Sequence, residues 1–74
     1  MKNKSDISKI FITDRAVIVE FKDGTVGREL FSSFPRLMNA SEEERKNYTT
    51  SYYGLHWSDL DEDLSFEGFY KHRG

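Results

Sequence analysis

A cluster of acidic side chains and one histidine holds most of the chemistry this chain could perform. Asp59, Asp61, Glu62 and Asp63 crowd together, Glu67 follows, and His56 precedes them beside the only tryptophan, Trp57. Several chemistries are open to such a group. Asp59, Asp61 and Asp63 match the first three ligand positions of an EF-hand calcium loop. The match then stops, because Leu64 stands where the sharp turn needs glycine and Tyr70 where a bidentate glutamate should close the shell. His56 with Asp59 or Asp61 could act as an acid–base pair, since imidazole titrates near neutrality. No nucleophile elbow, phosphate loop or oxyanion-type glycine cluster accompanies it. Paired carboxylates also serve glycoside hydrolysis, but a 74-residue chain offers little cleft to hold a sugar. A metal site would require His56 and His72, the only histidines, to converge with carboxylates, and His72 lies in the tail. No catalytic residue, metal or cofactor is expected.

Recognition is the chemistry that remains. Asp59, Asp61, Glu62 and Asp63, with Tyr52 and His56 beside them, form a candidate docking surface for a basic protein partner. The plainer reading is a solvated acidic turn. Tyr48, Tyr52, Tyr53 and Tyr70 could stack on single-stranded nucleic acid, but such platforms sit in basic grooves. Arg45 and Lys46 are near in sequence, yet so is the acidic run, and the net charge is −2. The expectation is a non-catalytic binding or regulatory module. A nucleic-acid-binding accessory protein is the alternative, and a small hydrolase centred on His56 comes third.

The elements that must position these residues can be read from pattern. A chain of 74 residues allows one domain, residues 1–74, with a core small enough to make a homodimer or a permanent partner a real option. The absence of cysteine fits a cytoplasmic setting and removes disulfides, zinc–thiolate sites and thiol chemistry. No apolar run approaches a membrane span. Residues 1–6 are expected to be a flexible leader and residues 71–74 a flexible tail.

From Ile7 to Leu30 the pattern has period two. With turns at Asp14-Arg15 and Asp23-Gly24, Ile12 faces Val17, Ile10 faces Val19, Phe21 faces Val26 and Val17 faces Leu30 on one core face. Phe11 and Ile18 then pair on the outer face, and Arg28 is free to reach the acidic run. A helical turn follows, with Ser32 or Ser33 as cap, Pro35 in the first turn, and Phe34, Leu37 and Met38 buried. Ser41-Glu42-Glu43-Glu44 is a capping box opening a surface helix. Thr49 to Trp57 reads as one further strand that buries Tyr53, Leu55 and Trp57, with Gly54 marking a bulge or close approach. Trp57, Leu60 and Leu64 are spaced to clamp one side of a turn or short helix, and Ser65 caps a last helix through Phe66, Phe69 and Tyr70. The fold class is α+β: a three-stranded antiparallel meander, a further strand from the C-terminal half, and short helices packed on one face.

Trp57 followed by Asp59-Leu60-Asp61-Glu62-Asp63-Leu64-Ser65 and Glu67-Gly68-Phe69 resembles the C-terminal signature of domain-of-unknown-function family 2442. Phe34-Pro35-Arg36-Leu37, Asn39-Ala40, Glu43 and the Asp23-Gly24 turn resemble it too, so the likeness runs from Ile7 to Phe69. Ser58 stands where many members have proline, and Phe69 where leucine is common. The resemblance implies a small prokaryotic α+β domain. It also implies a genomic setting beside small toxin–antitoxin-like or mobile-element genes, sometimes with fusion to a helix-turn-helix domain. It carries no catalytic residues across, because the family has no established activity.

Overall fold

The computed structural model describes residues 1–71. Its first sheet is an antiparallel meander of β1 (Ile7–Ile12), β2 (Ala16–Phe21) and β3 (Val26–Leu30). Its second is another meander, β4 (Thr49–Thr50), β5 (Gly54–Trp57) and β6 (Glu62–Ser65). Between them run a 3-10 turn (Phe31–Ser33), α1 (Pro35–Met38) and α2 (Glu42–Lys46), and α3 (Phe66–Lys71) follows β6. The α+β class and the N-terminal meander agree with the sequence pattern. The second half supplies a complete meander where one strand was expected.

The β1–β2 register is the expected one, with Ile12 opposite Val17 and Ile10 opposite Val19. Asp14-Arg15 is a poor turn sequence, and the Thr13 hydroxyl compensates by accepting from the N–H groups of Arg15 and Ala16. A register shift between Ile7 and Lys9 puts Ile7 opposite Phe21, so Ile7, Ile10 and Ile12 all meet the core despite their uneven spacing. Phe11 and Ile18 pair on the outer face, half-buried, with the Lys9 ammonium 5.0 Å from the Phe11 ring centre.

The β2–β3 register differs from the expectation by one residue. Glu20, not Phe21, stands opposite Val26, and Ala16, not Val17, opposite Leu30. The cause is the turn. The Gly24 N–H donates to the Phe21 carbonyl, Gly24 sits at φ +91°, and the Phe21 N–H donates to the Thr25 carbonyl. That is a tight turn plus a left-handed bulge residue, a three-residue loop and not the two-residue turn that Asp-Gly suggests. The Asp23 carboxylate accepts from the Thr25 N–H and holds the loop in this form. Slipping by one exchanges the faces of the strand. Val26, Arg28 and Leu30 therefore point outward and are exposed, while Gly27 is buried under α3. A Cβ on Gly27 would collide with the Phe69 carbonyl, so glycine is required for the helix to lie that close.

One core joins both meanders. Val17, Val19 and Phe21 of the first sheet meet Leu55, Trp57 and Leu64 of the second, together with Phe31, Leu37, Phe66 and Phe69 from the helical segments. Helix α3 touches β2 and β3 on one side and β5 and β6 on the other. Full burial of side chains of this size is worth roughly 1.5–3 kcal/mol each before conformational entropy is subtracted. Phe34 is only half-buried and Met38 is 53% exposed, because Leu37 alone takes the inward position of the short α1. No serine side chain caps α1; Phe34 holds the cap position, and Pro35 starts the turn. The Ser41–Glu44 capping box and the Ser65 cap on α3, through the Gly68 N–H, form as expected.

The N-terminal residues, expected to be a flexible leader, make specific contacts. Lys4–Asp6 is a 3-10 turn closed by a capping box from Asn3. The Lys4 N–H donates to the Tyr52 carbonyl, the Lys22 N–H to the Asp6 carbonyl, and the Lys2 N–H to the Glu67 carboxylate. The expected flexible tail, 71–74, lies beyond Lys71 outside the described residues.

Candidate functional site

Of the turn or short helix expected for the acidic run, the structure has the turn, at the tip of a β-hairpin. Trp57 ends β5, Ser58 to Asp61 turn, and Glu62 begins β6 opposite Trp57. Asp61 takes φ 51°, a left-handed conformation in which aspartate is better tolerated than most residues. The apolar members still point down as expected: Trp57, Leu64 and Phe66 are buried and Leu60 packs at the core margin. Helical spacing and a hairpin with a four-residue turn both place Trp57 and Leu64 inward, so periodicity alone leaves turn and short helix open, and the structure takes the turn.

Strand alternation then separates the carboxylates. Glu62 lies on the core side beside Trp57, while Asp63 turns to the outer face of the second sheet. There the Asp63 carboxylate meets the His56 Nδ1 at 2.6 Å, across a directly opposed strand pair. An ionised carboxylate can only accept, so Nδ1 carries the proton and a neutral imidazole keeps its basic nitrogen on Nε2. The sequence pairing of His56 with Asp59 or Asp61 is thus replaced by His56 with Asp63. The cross-strand register would have revealed this pair, had residues 58–61 been read as a turn. Thr49 completes the row opposite His56, its hydroxyl 3.5 Å from the His56 carbonyl oxygen. This pair can hold a proton or a counter-charge, but it sits on an open sheet face.

Asp59 accepts a hydrogen bond from the Asn47 amide at 2.8 Å, tying the turn to the end of α2. The surface hollow beside it, about 440 Å³, is lined by Glu43, Glu44, Lys46, Asn47 and Asp59 and is open and polar. Among the described residues no three His, Asp or Glu side chains are grouped as metal ligands. Arg28, expected to reach the acidic run, is on the far sheet; Arg36 reaches it instead, donating from Nη1 to the Asp61 carbonyl at 2.6 Å.

Tyr52 does not join the acidic residues. Tyr52 and Tyr53 form the tip of the β4–β5 hairpin, at the opposite end of β5 from Asp59 and Asp61. Both are exposed, 56% and 53%, with rings edge-to-face and centres 4.8 Å apart. Tyr53 was expected inside; the turn at Ser51 to Gly54 lifts it out, leaving Leu55 and Trp57 as the buried pair. Gly54 makes the close approach expected of it, since a Cβ there would strike the Leu64 carbonyl. The four tyrosines do not form one platform. Tyr48 packs on Trp57, with ring centres 5.8 Å apart, and the Tyr70 hydroxyl donates to Asp23 at 2.9 Å. Asp23 is held below the usual carboxylate pKa by the Thr25 backbone N–H first, then by the Thr25 and Tyr70 hydroxyls.

The residue that sequence reasoning missed is Arg45. Its Nε donates to the Leu37 carbonyl at 2.8 Å and its Nη2 to the Met38 carbonyl at 2.9 Å, satisfying the C-terminal end of α1. Its guanidinium lies 4.3 Å from the Phe31 ring centre, and its own carbonyl accepts the Trp57 indole N–H at 2.9 Å. An arginine engaged in this way is not available to line a nucleic-acid groove.

The geometry defines a class: a small α+β domain of two meanders sharing one core, with an acidic hairpin on its second sheet. A family model described as "Protein of unknown function (DUF2442)" matches residues 7–74, and the chain belongs to that family. No curated protein and no solved structure matches it. No helix among the described residues is long and apolar enough to cross a membrane.

Proposed function

We propose that this chain is a non-catalytic binding module that docks on a basic segment of a protein partner through the β5–β6 hairpin. The role would be regulatory or accessory, of the antitoxin-like kind, in the cytoplasm of a prokaryote. One observation carries the reading. The exposed carboxylates of Asp59, Asp61 and Asp63 are held on a hairpin braced by Arg36, Asn47 and the Trp57 anchor, and among the described residues no lysine or arginine forms an ion pair with any of them. Fixed, poorly compensated negative charge favours fast and specific capture of a basic surface. The dispersed tyrosines and the engaged Arg45 do not support the nucleic-acid alternative, and the open face around His56 does not support a hydrolase.

The test is affinity capture with the purified chain, followed by titration of the recovered protein against the native chain and an Asp59→Lys/Asp63→Lys variant. The expected partner has a basic surface, binds more weakly as salt rises, and loses about tenfold or more in affinity to the variant. Recovery of no specific protein, or of one indifferent to the charge reversal, overturns the proposal.

A further inference from the structure

A second surface lies on the other sheet and is independent of the acidic hairpin. Strand β3 is an edge of the first sheet. Its free side follows from two backbone bonds. The Phe21 N–H donates to the Thr25 carbonyl at 2.8 Å, and the Phe31 N–H to the Arg15 carbonyl at 2.9 Å. Hydrogen-bonded pairs recur at every second residue of an antiparallel ladder. Gly27 and Glu29 therefore bond β2, and Val26, Arg28 and Leu30 turn their N–H and C=O groups away from it.

The side chains of those same three residues face outward, with Val26 38% and Leu30 47% exposed. Arg28 between them has no ion-pair partner among the described residues. The other edges are irregular or shorter: β1 carries a register shift, β4 is two residues long and β6 four. Strand β3 has neither proline nor bulge within its pairing. At its C-terminal end the exposed Leu30 and Met38, with Phe31, Asp14, Arg15 and Ser32, line a largely apolar hollow of about 360 Å³.

We propose that the β3 edge receives an extended segment of another protein as a fourth strand. The segment carries an acidic side chain to face Arg28, with apolar side chains two residues to either side. One of these packs beside Val26 and the other beside Leu30, reaching the hollow. Main-chain bonds supply the attachment and alternate side chains the selectivity. A second copy of this chain fits poorly. Antiparallel pairing of β3 with itself about Arg28 sets two guanidiniums opposite each other, and pairing about Glu29 sets two carboxylates opposite each other. Pairing about Gly27 avoids both but overlaps only a few residues before the turn.

A displayed library of random nonapeptides, selected against the purified full chain and against an Arg28→Glu variant, tests this. Arg28 is exposed, so the variant should melt with the native chain. The native chain is expected to enrich peptides with an apolar–acidic–apolar pattern at alternate positions, and the variant peptides with a basic centre. A synthetic copy of the enriched peptide should lose about tenfold or more in affinity for the variant. It should also shift the amide resonances of Val26, Arg28 and Leu30. No enrichment, equal binding to both chains, resonance shifts confined to the β5–β6 hairpin, or a concentration-dependent dimer of the free chain protecting the β3 amides would each overturn it. Asp59, Asp61 and Asp63 are untouched throughout, so failure here is separable from failure of the acidic-hairpin reading.

Discussion

The two meanders reach the same topology by different means. The first is held by its backbone. Its strands are five or six residues long, its hairpins are set by Thr13 and by the Asp23–Gly24 loop, and α3 lies directly on Gly27. The second has strands of two and four residues, too short to be stable as a ladder alone. It is held by side-chain bonds to the helical segments: Trp57 reaching out to Arg45, and Asn47 and Arg36 reaching in to Asp59 and Asp61. The contrast teaches where function can sit. A sheet stabilised from behind and from its ends can leave its outer face to polar residues such as His56 and Asp63, and can vary them at little cost to the fold.

The sharpest way to break the contrast is at Trp57. If side-chain anchoring holds the second meander, Trp57→Ala should cost about 3–5 kcal/mol, comparable with the whole stability of so small a domain. Circular dichroism should then show a largely unfolded chain at room temperature. Trp57→Phe keeps most of the buried surface but leaves the Arg45 carbonyl unpaired, and should cost less, about 1–3 kcal/mol. An unchanged melting temperature in either variant would remove Trp57 as the anchor.

For the first meander the matching test is Gly27→Ala. The added methyl meets the Phe69 carbonyl, which is backbone and cannot rotate away, so α3 must move. The expected loss is about 1–3 kcal/mol by denaturant unfolding. Gly24→Ala is the control, because its Cβ would enter open space while its φ of +91° penalises any side chain. It should cost about 1 kcal/mol through backbone strain alone. Equal costs at the two glycines would argue that close helix packing is not what fixes the first sheet.

How much of this was legible beforehand follows the same division. The β1–β2 register, the two cap motifs and the inward set Val17, Val19, Leu55, Trp57 and Leu64 could be read because each depends on near neighbours or on a period. The β3 face could not, because one bulge residue at Gly24 reverses it and Asp-Gly is compatible with both turns. The acidic residues were recognisable as a group, but their partners were not: His56 with Asp63 depends on where a turn begins, and Arg36 with Asp61 on how two distant segments meet. In the sequence Arg45 is only a basic neighbour of the tyrosines. Its work on the Leu37 and Met38 carbonyls is invisible until α1 and α2 are placed side by side.

That makes Arg45 the next test of the contrast. Arg45→Lys keeps the charge but cannot donate to both carbonyls and lie flat on Phe31, so it should cost about 1–2 kcal/mol. Arg36→Ala, which removes one exposed bond to the turn, should change stability by less than about 1 kcal/mol. Thermal melts of the two variants side by side would show whether the second meander hangs chiefly on Arg45, as the geometry argues, or equally on the turn brace.

The smallest expected effect belongs to the first meander and is read in acid. The Asp23 pKa is held down in the folded chain by the Thr25 backbone N–H, then the Thr25 and Tyr70 hydroxyls. A group whose folded pKa lies below its unfolded value adds stability above the unfolded pKa, and that stability is lost as pH falls through the folded value. Asp23 is fully exposed, so the contribution is small. Asp23→Asn keeps an oxygen to accept from the Thr25 N–H but puts an amide NH2 where the other oxygen accepts from Tyr70, so it removes the charge and that acceptor together. Below about pH 5 the native chain should lose stability more steeply than the variant, and at neutral pH the native chain should be the more stable of the two. Parallel acid limbs would mean that the loop is set by Gly24 and the backbone alone, and that the Tyr70–Asp23 link between α3 and the hairpin contributes nothing to the first sheet.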